Sequence, residues 1–191
     1  MSIAPDTIKA LFKFENKDCC FIETGTESGA TLAVALDIGF SKVKSIEAGE
    51  DSYNKCCDRF SDDERVTLYH GSSANRLYEM CKDEDGDLFF WLDGHYSGGD
   101  TFLSDNQICP LYEELDQIKK LKNNTHTILI DDIRDVYNGY MQVDMEVLKN
   151  KLLQINPEYK LSFLPGYQKD DIMMATTKDI STKSYMKENL K

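Results

Sequence analysis

Apolar and polar positions along this chain fall into blocks, a short apolar run followed by a stretch with helical spacing, repeated five times. Cys19–Glu23 (CCFIE) reads as a buried strand. Ser28–Ile38 follows, with Leu32, Ala35 and Leu36 on one helical face and Gly39 closing it. Val43–Ala48 predicts a second strand and Ser52–Phe60 a polar helix. Val66–His70 predicts a third strand and Ala74–Cys81 a short helix. Leu88–Asp93 (LFFWLD) is the most apolar strand, and Pro110–Lys122 predicts a helix with Pro110 suited to its first turn. Thr127–Asp131 is the fifth strand, and Met145–Ile155 a helix with Asp144 as N-cap. Strands alternating with helices of this length predict an α/β fold, a doubly wound, mostly parallel sheet covered on both faces. The last two runs, Lys160–Leu164 and Ile172–Thr176, are separated by too few residues for a helix. A gap that short allows only an antiparallel pair. No repeat, low-complexity tract or linker interrupts residues 1–191, so the sequence predicts one domain.

Composition narrows the partners. Lys and Arg number 22 against 34 Asp and Glu, a formal charge of 22 − 34 = −12. With so few cations there is no surplus to release phosphate counterions, which argues against nucleic acid. No apolar run approaches the roughly 20 residues a bilayer-spanning helix needs. The opening Met1–Asp6 has neither the basic nor the apolar region of a signal peptide, so a soluble, cytoplasmic protein is expected. Four of the six cysteines form vicinal pairs, Cys19-Cys20 and Cys56-Cys57, and no C-x-x-C spacing occurs. That pattern predicts reduced thiols rather than a disulfide framework or a zinc site.

In a sheet of this kind ligands bind beyond the carboxyl ends of the strands, so candidate chemistry is sought there. The first strand ends in Glu23-Thr24-Gly25-Thr26-Glu27-Ser28-Gly29, whose glycines suit a tight turn close to a ligand. Glu27 stands where a dinucleotide fingerprint needs its second glycine, and its charge would face a pyrophosphate unfavourably. Glu23 and Glu27 suit a cationic or zwitterionic head group better. Glu47 ends the second strand 22 residues after Gly25, the place of an acid that accepts hydrogen bonds from ribose hydroxyls. Gly71-Ser72-Ser73 offers small donors for a purine edge after the third strand. Asp93-Gly94-His95-Tyr96 ends the fourth strand and Asp131-Asp132 the fifth. Were these strands neighbours, three carboxylates would converge, and their repulsion would call for a cation between them. A hard divalent ion with oxygen ligands answers that demand. Both Asp131 and Asp132 ligate only if the strand ends there, because successive residues of a strand face opposite ways.

Glu23-x-Gly25-x-x-x-Gly29, then Glu47, then Asp93, closed by an antiparallel hairpin, resembles a class I S-adenosylmethionine-dependent methyltransferase from about residue 17 to 178. The resemblance implies a Rossmann-like, seven-stranded sheet. It implies that S-adenosyl-L-methionine is held by Glu23, Gly25, Thr26, Ser28, Glu47, Ala48, Ser72, Ser73 and Asp93. The commoner G-x-G core of that motif is lacking. The two acidic strand ends resemble metal-dependent sugar O-methyltransferases of the macrocin and novobiocin type, in which Asp93, Asp131 and Asp132 would hold Mg²⁺ or Mn²⁺. Here the third position of the first motif is His95 in place of an acid. The segment Trp91–Asp100 is similar to small methyltransferase domains that large algal viruses use on their surface glycans, which implies a rhamnose-like hydroxyl as acceptor. Asp93 or His95 is then the catalytic base, His95, Tyr96 and Tyr137 face the small-molecule or glycan substrate, and the glycine-rich Tyr96–Thr101 forms a lid. A catechol-type O-methyltransferase, a non-catalytic cofactor-binding module of a glycan-processing assembly and a nicotinamide oxidoreductase are the rival readings. The sequence leaves a homo-oligomer open.

Overall fold

The computed structural model of the protein describes residues 19–96 and 108–179. Seven strands form one sheet: β1 (Cys20–Thr24), β2 (Val43–Glu47), β3 (Val66–His70), β4 (Leu88–Leu92), β5 (Thr127–Ile130), β6 (Lys160–Leu164) and β7 (Ile172–Thr176). Their order is β3-β2-β1-β4-β5-β7-β6. The first five run parallel, β7 runs antiparallel to β5, and β6 pairs antiparallel with β7 at the far edge. The six described helices are α1 (Ala30–Ile38), α2 (Glu50–Arg59), α3 (Ser73–Cys81), α4 (Leu111–Ile118), α5 (Ile133–Tyr137) and α6 (Met145–Ile155).

Alternation along the strands builds two cores, because successive side chains leave a strand on opposite faces. Cys20 and Ile22 of β1 and Leu88, Phe90 and Leu92 of β4 pack with α3, α4 and α6 through Leu77, Met80, Leu111, Leu115, Ile118, Leu148 and Leu152. Phe21, Phe89 and Trp91 point the other way, onto Leu32, Ala35 and Leu36 of α1 and Phe40. Phe21, Phe40 and Phe89 meet with ring centroids 5.2–5.8 Å apart. The central strands are buried on both faces, which is why they read as continuous apolar runs rather than as alternation. β3, at an edge, is half-exposed and carries a more polar sequence.

All seven strands lie where the apolar pattern predicts them, and the differences sit at the ends. β4 stops at Leu92, one residue sooner than expected, and the Asp93 N–H beyond it makes the last parallel rung on the Thr24 carbonyl and also reaches the Thr24 hydroxyl, both at 3.2 Å. β5 stops at Ile130, one residue sooner than expected. α2 begins at Glu50 instead of Ser52, and the Pro110–Lys122 helix is confined to Leu111–Ile118. α5 is an addition; five residues are too few to show a helical period. All six cysteines are free. Burial pushes the thiols of Cys20 and Cys109 up to about 12 and that of Cys56 to about 11, which leaves them unreactive. Among the described residues no helix is long and apolar enough to cross a membrane.

Candidate functional site

The carboxyl ends of β1, β2 and β4 meet at the turn after β1. Gly25 has φ 81°, and a side chain there would place its Cβ 2.4 Å from the Asp93 carbonyl oxygen. Only glycine permits that approach, so the turn after β1 rests directly on the chain that leaves β4. Glu47 ends β2 and binds two loops at once. Its Oε2 accepts the Glu27 N–H at 2.8 Å and its Oε1 the Gly49 N–H at 2.7 Å. Each oxygen keeps a second lone pair for a ligand hydroxyl.

The two glutamates of the first turn do not line a common surface. Glu27 is exposed, whereas Glu23 is only 1% exposed and lies beneath the edge. The Ser45 hydroxyl donates to Glu23 at 2.5 Å and pairs with the Thr26 hydroxyl at 2.6 Å. Burial pushes Glu23 well above the usual carboxylate range, against the pull of the Ser45 bond. Glu23 and Thr26 therefore support the turn from inside, which corrects the expectation that Glu23 and Glu27 together receive a cationic head. Ser28 is exposed, and its carbonyl accepts from Arg59 at 2.5 Å; Ala48 is half-buried beside Glu47. After β3, Ser72 is half-buried. Ser73 is buried, with its hydroxyl bonded to Glu114 and its carbonyl to Gln117 at 2.8 Å.

β4 and β5 are neighbours, as the acidic strand ends require. The acids nevertheless sort differently from a single three-acid set. Among the described residues two groups of ligand-type atoms form, each within 4.8 Å, one of Asp93, His95 and Asp132 and one of Asp131, Asp132 and Asp171. Asp132 adopts a left-handed conformation, φ 54° and ψ 39°, that turns its side chain toward β4. Asp131 turns back, its Oδ1 accepting the Asp132 N–H at 2.8 Å. His95 stands between two carboxylates, Nδ1 at 3.4 Å from Asp93 and Nε2 at 3.3 Å from Asp132. The Nε2 contact is close enough for charge attraction but makes no properly directed hydrogen bond.

Burial lowers the pKa of His95, yet Asp132 and Asp93 outweigh it and hold the imidazole up to about 10. Burial likewise raises Asp132, but His95 and Arg134 bring it below the usual carboxylate range. Asp131 is pushed up to about 8 by burial and by the charges of Asp93 and Asp132. His95 at that value carries a proton at neutral pH, so it is a hydrogen-bond donor there and not the free base its residue type suggests.

Three residues of this region carry no signal in the strand-end motifs. Arg134 reaches Asp132 Oδ1 at 2.5 Å and also bonds Asp171 Oδ2. Asp171, fully buried, lies 37 residues downstream of Arg134, and no sequence spacing connects them. Glu114 is different, because it falls with Leu111, Leu115 and Ile118 on the buried stripe of α4, so its position on an apolar face was readable. It bonds Ser73 and Thr24, is pushed up to about 7 chiefly by burial, and leaves Oε1 without a partner. Tyr96 is half-buried, and its N–H donates to the Ile108 carbonyl at 2.7 Å; the remainder of the expected lid, 97–101, lies outside the described residues. Tyr137 is 64% exposed on α5, one turn from Arg134.

Solved structures with this architecture are numerous. An O-methyltransferase from Bacillus cereus in complex with SAH superposes with a TM-score of 0.64 at 17% identity, covering 93% of this chain and 82% of that one. The SAH-bound methyltransferase PaMTH1 from Podospora anserina gives 0.61 at 14%, covering 94% and 80%. The O-methyltransferase TomG from Streptomyces achromogenes, in complex with SAM, gives 0.59 at 11%, covering 92% and 80%. The chain shares their Rossmann-like fold, a seven-stranded mixed sheet ending in an antiparallel hairpin. No protein-family model matches the sequence, and no curated protein matches it.

Proposed function

We propose that the chain is an S-adenosyl-L-methionine-dependent O-methyltransferase that acts on a sugar hydroxyl with the help of a divalent cation. One observation carries this reading: the Gly25 turn and Glu47 lie against the same sheet edge as the Asp93–His95–Asp132 group, with Gly25 packed on the Asp93 carbonyl. SAH and SAM occupy structures of this fold. Glu47 accepts the ribose hydroxyls, and the chain around Gly25, Ser28, Ala48 and Ser72 lines the rest of the cofactor.

Methyl transfer displaces a neutral thioether from a sulfonium, so the protein has no leaving group to protonate. Its work is to orient the acceptor oxygen in line and to take that oxygen's proton. Burial holds Asp93 above its usual range, which suits it to receive that proton, and the His95 Nδ1–H keeps the Asp93 carboxylate turned into the site, leaving Nε2, which gives up its proton when an ion binds, as the ligand nitrogen. Asp93, His95 and Asp132 fit a divalent cation, since two carboxylates converge on an imidazole whose Nε2 lacks a well-directed partner. A set with one nitrogen suits Mn²⁺ better than Mg²⁺. When bound, the ion lowers the pKa of a coordinated acceptor hydroxyl. Tyr96 and Tyr137 flank the acceptor. With a net charge of −12, the surface favours a neutral glycoside over an anionic acceptor.

The test is to incubate the protein with methyl-labelled cofactor and a panel of monosaccharide glycosides and catechol. Runs with excess chelator are compared with runs in Mg²⁺ or Mn²⁺. Label should pass to a glycoside, vanish with chelator and return with metal. Label on catechol alone would replace the sugar with an aromatic acceptor. Full transfer in chelator would leave the His95 imidazolium as the cation of the site. Cofactor binding without transfer to any acceptor would favour a non-catalytic module.

A further inference from the structure

The second acid group differs from the first in one respect: the chain itself places a permanent cation inside it. Arg134 Nη1 lies between Asp132 Oδ1 and Asp171 Oδ2, so a single guanidinium nitrogen bridges two carboxylates. Asp171 has no exposure at all. It accepts the Arg134 N–H at 3.3 Å and the Tyr167 N–H at 3.1 Å, while its carbonyl accepts the Ile133 N–H at 2.8 Å. A carboxylate buried this deeply needs an opposite charge, and a guanidinium stays charged at every pH the fold survives. The other face of Arg134 is closed by the Tyr167 ring, whose centroid lies 5.2 Å from the guanidinium carbon. Asp132 belongs to both groups and divides its oxygens between them, Oδ1 toward Arg134 and Oδ2 toward His95.

We propose that Arg134 is the resident cation of the Asp131–Asp132–Asp171 group, that it bars a metal ion from that group, and that with Asp171 it positions Asp132 for the Asp93–His95–Asp132 group. This rests on the divalent-cation reading above. Arg134 is then a positioning residue with a role in selecting the metal site. Asp131, which the strand-end pattern counts as a ligand, contributes none while Arg134 is in place.

The experiment titrates Mn²⁺ into the full chain and follows the free-ion signal by electron paramagnetic resonance. S-adenosylmethionine binding by calorimetry serves as the check on folding. The wild type should bind one Mn²⁺ per chain. Asp93→Asn should weaken that binding more than tenfold, and Asp131→Asn should change it less than threefold. Arg134→Gln should bind a second Mn²⁺, Arg134→Lys should not, and adding Asp171→Asn to Arg134→Gln should remove the second ion. A stoichiometry unchanged in a folded, cofactor-binding Arg134→Gln protein overturns the proposal. If Arg134→Gln does not fold, the comparison of Asp131→Asn with Asp93→Asn decides in the wild-type background, where equal losses overturn it. A wild type that binds no Mn²⁺ beside an Arg134→Gln protein that does would sustain the guarding role and remove the divalent-cation reading instead.

Discussion

Glu47 ties two loops together with one carboxylate. Glu47→Ala removes the acceptor for two backbone N–H groups and, on the reading above, for the cofactor ribose. Charge-assisted hydrogen bonds are each worth roughly 1.5–3 kcal/mol. Cofactor affinity measured by calorimetry should therefore fall more than tenfold, with circular dichroism retained; unchanged affinity would remove Glu47 from the cofactor site. A second residue makes a pH-dependent contribution. His126 Nδ1 accepts the buried Leu88 N–H at 3.0 Å, and burial lowers its pKa to about 4. The unfolded chain takes up this proton near pH 6.5, so the contribution is whole above pH 6.5 and is lost as pH falls toward 4. Between pH 7 and 5 it should shrink by about 2 kcal/mol relative to His126→Gln, which keeps an acceptor for Leu88. Parallel stability curves for the two proteins over that interval would refute this. The strand-end residues Glu47, Asp93 and Asp131 were legible in the sequence because each directly follows an apolar run, and Asp132 because it adjoins Asp131. Asp171 and Arg134 were not, since only the β5–β7 pairing brings them together.

At the level of elements, periodicity predicted what packing later required. α6 spans Met145–Ile155 with Asp144 at its N-cap, as expected, and the Asp144 carboxylate accepts the N–H groups of Glu146 and Val147, both at 2.9 Å. Asp144→Ala should cost about 1 kcal/mol in denaturant unfolding, and Asp144→Ser clearly less. Where boundaries differ, they differ by a few residues at an end, as at β4, whose last parallel rung is the Asp93 N–H on the Thr24 carbonyl. α5 was hidden for another reason. It begins from a left-handed Asp132, and its first amide is held by the Asp171 carbonyl. A helix held from outside by another strand's end leaves no local signature.

For the whole molecule, the parallel sheet with a closing antiparallel hairpin followed from connection lengths alone. The sorting of the acids into two groups did not, because it depends on which way Asp132 turns. The thiol reading also belongs at this scale. All six cysteines are free and most are buried, so reductant should leave the melting temperature within about a degree, whereas a cross-link closing even a short loop contributes about 3 kcal/mol, a shift of several degrees. A large drop on reduction would contradict the free thiols. The contact between Gly25 and the Asp93 carbonyl has a consequence for recombination. On the proposed function β1, β2 and β3 carry the cofactor half and β4, β5 and the hairpin carry the acids, and the two halves join along the β1–β4 ladder with that contact at its outlet. A chimera that grafts the second half from another protein of the same fold keeps its cofactor half undisturbed so long as position 25 has no side chain. On that reading, exchanging half a gene would change the acceptor without disturbing the other half.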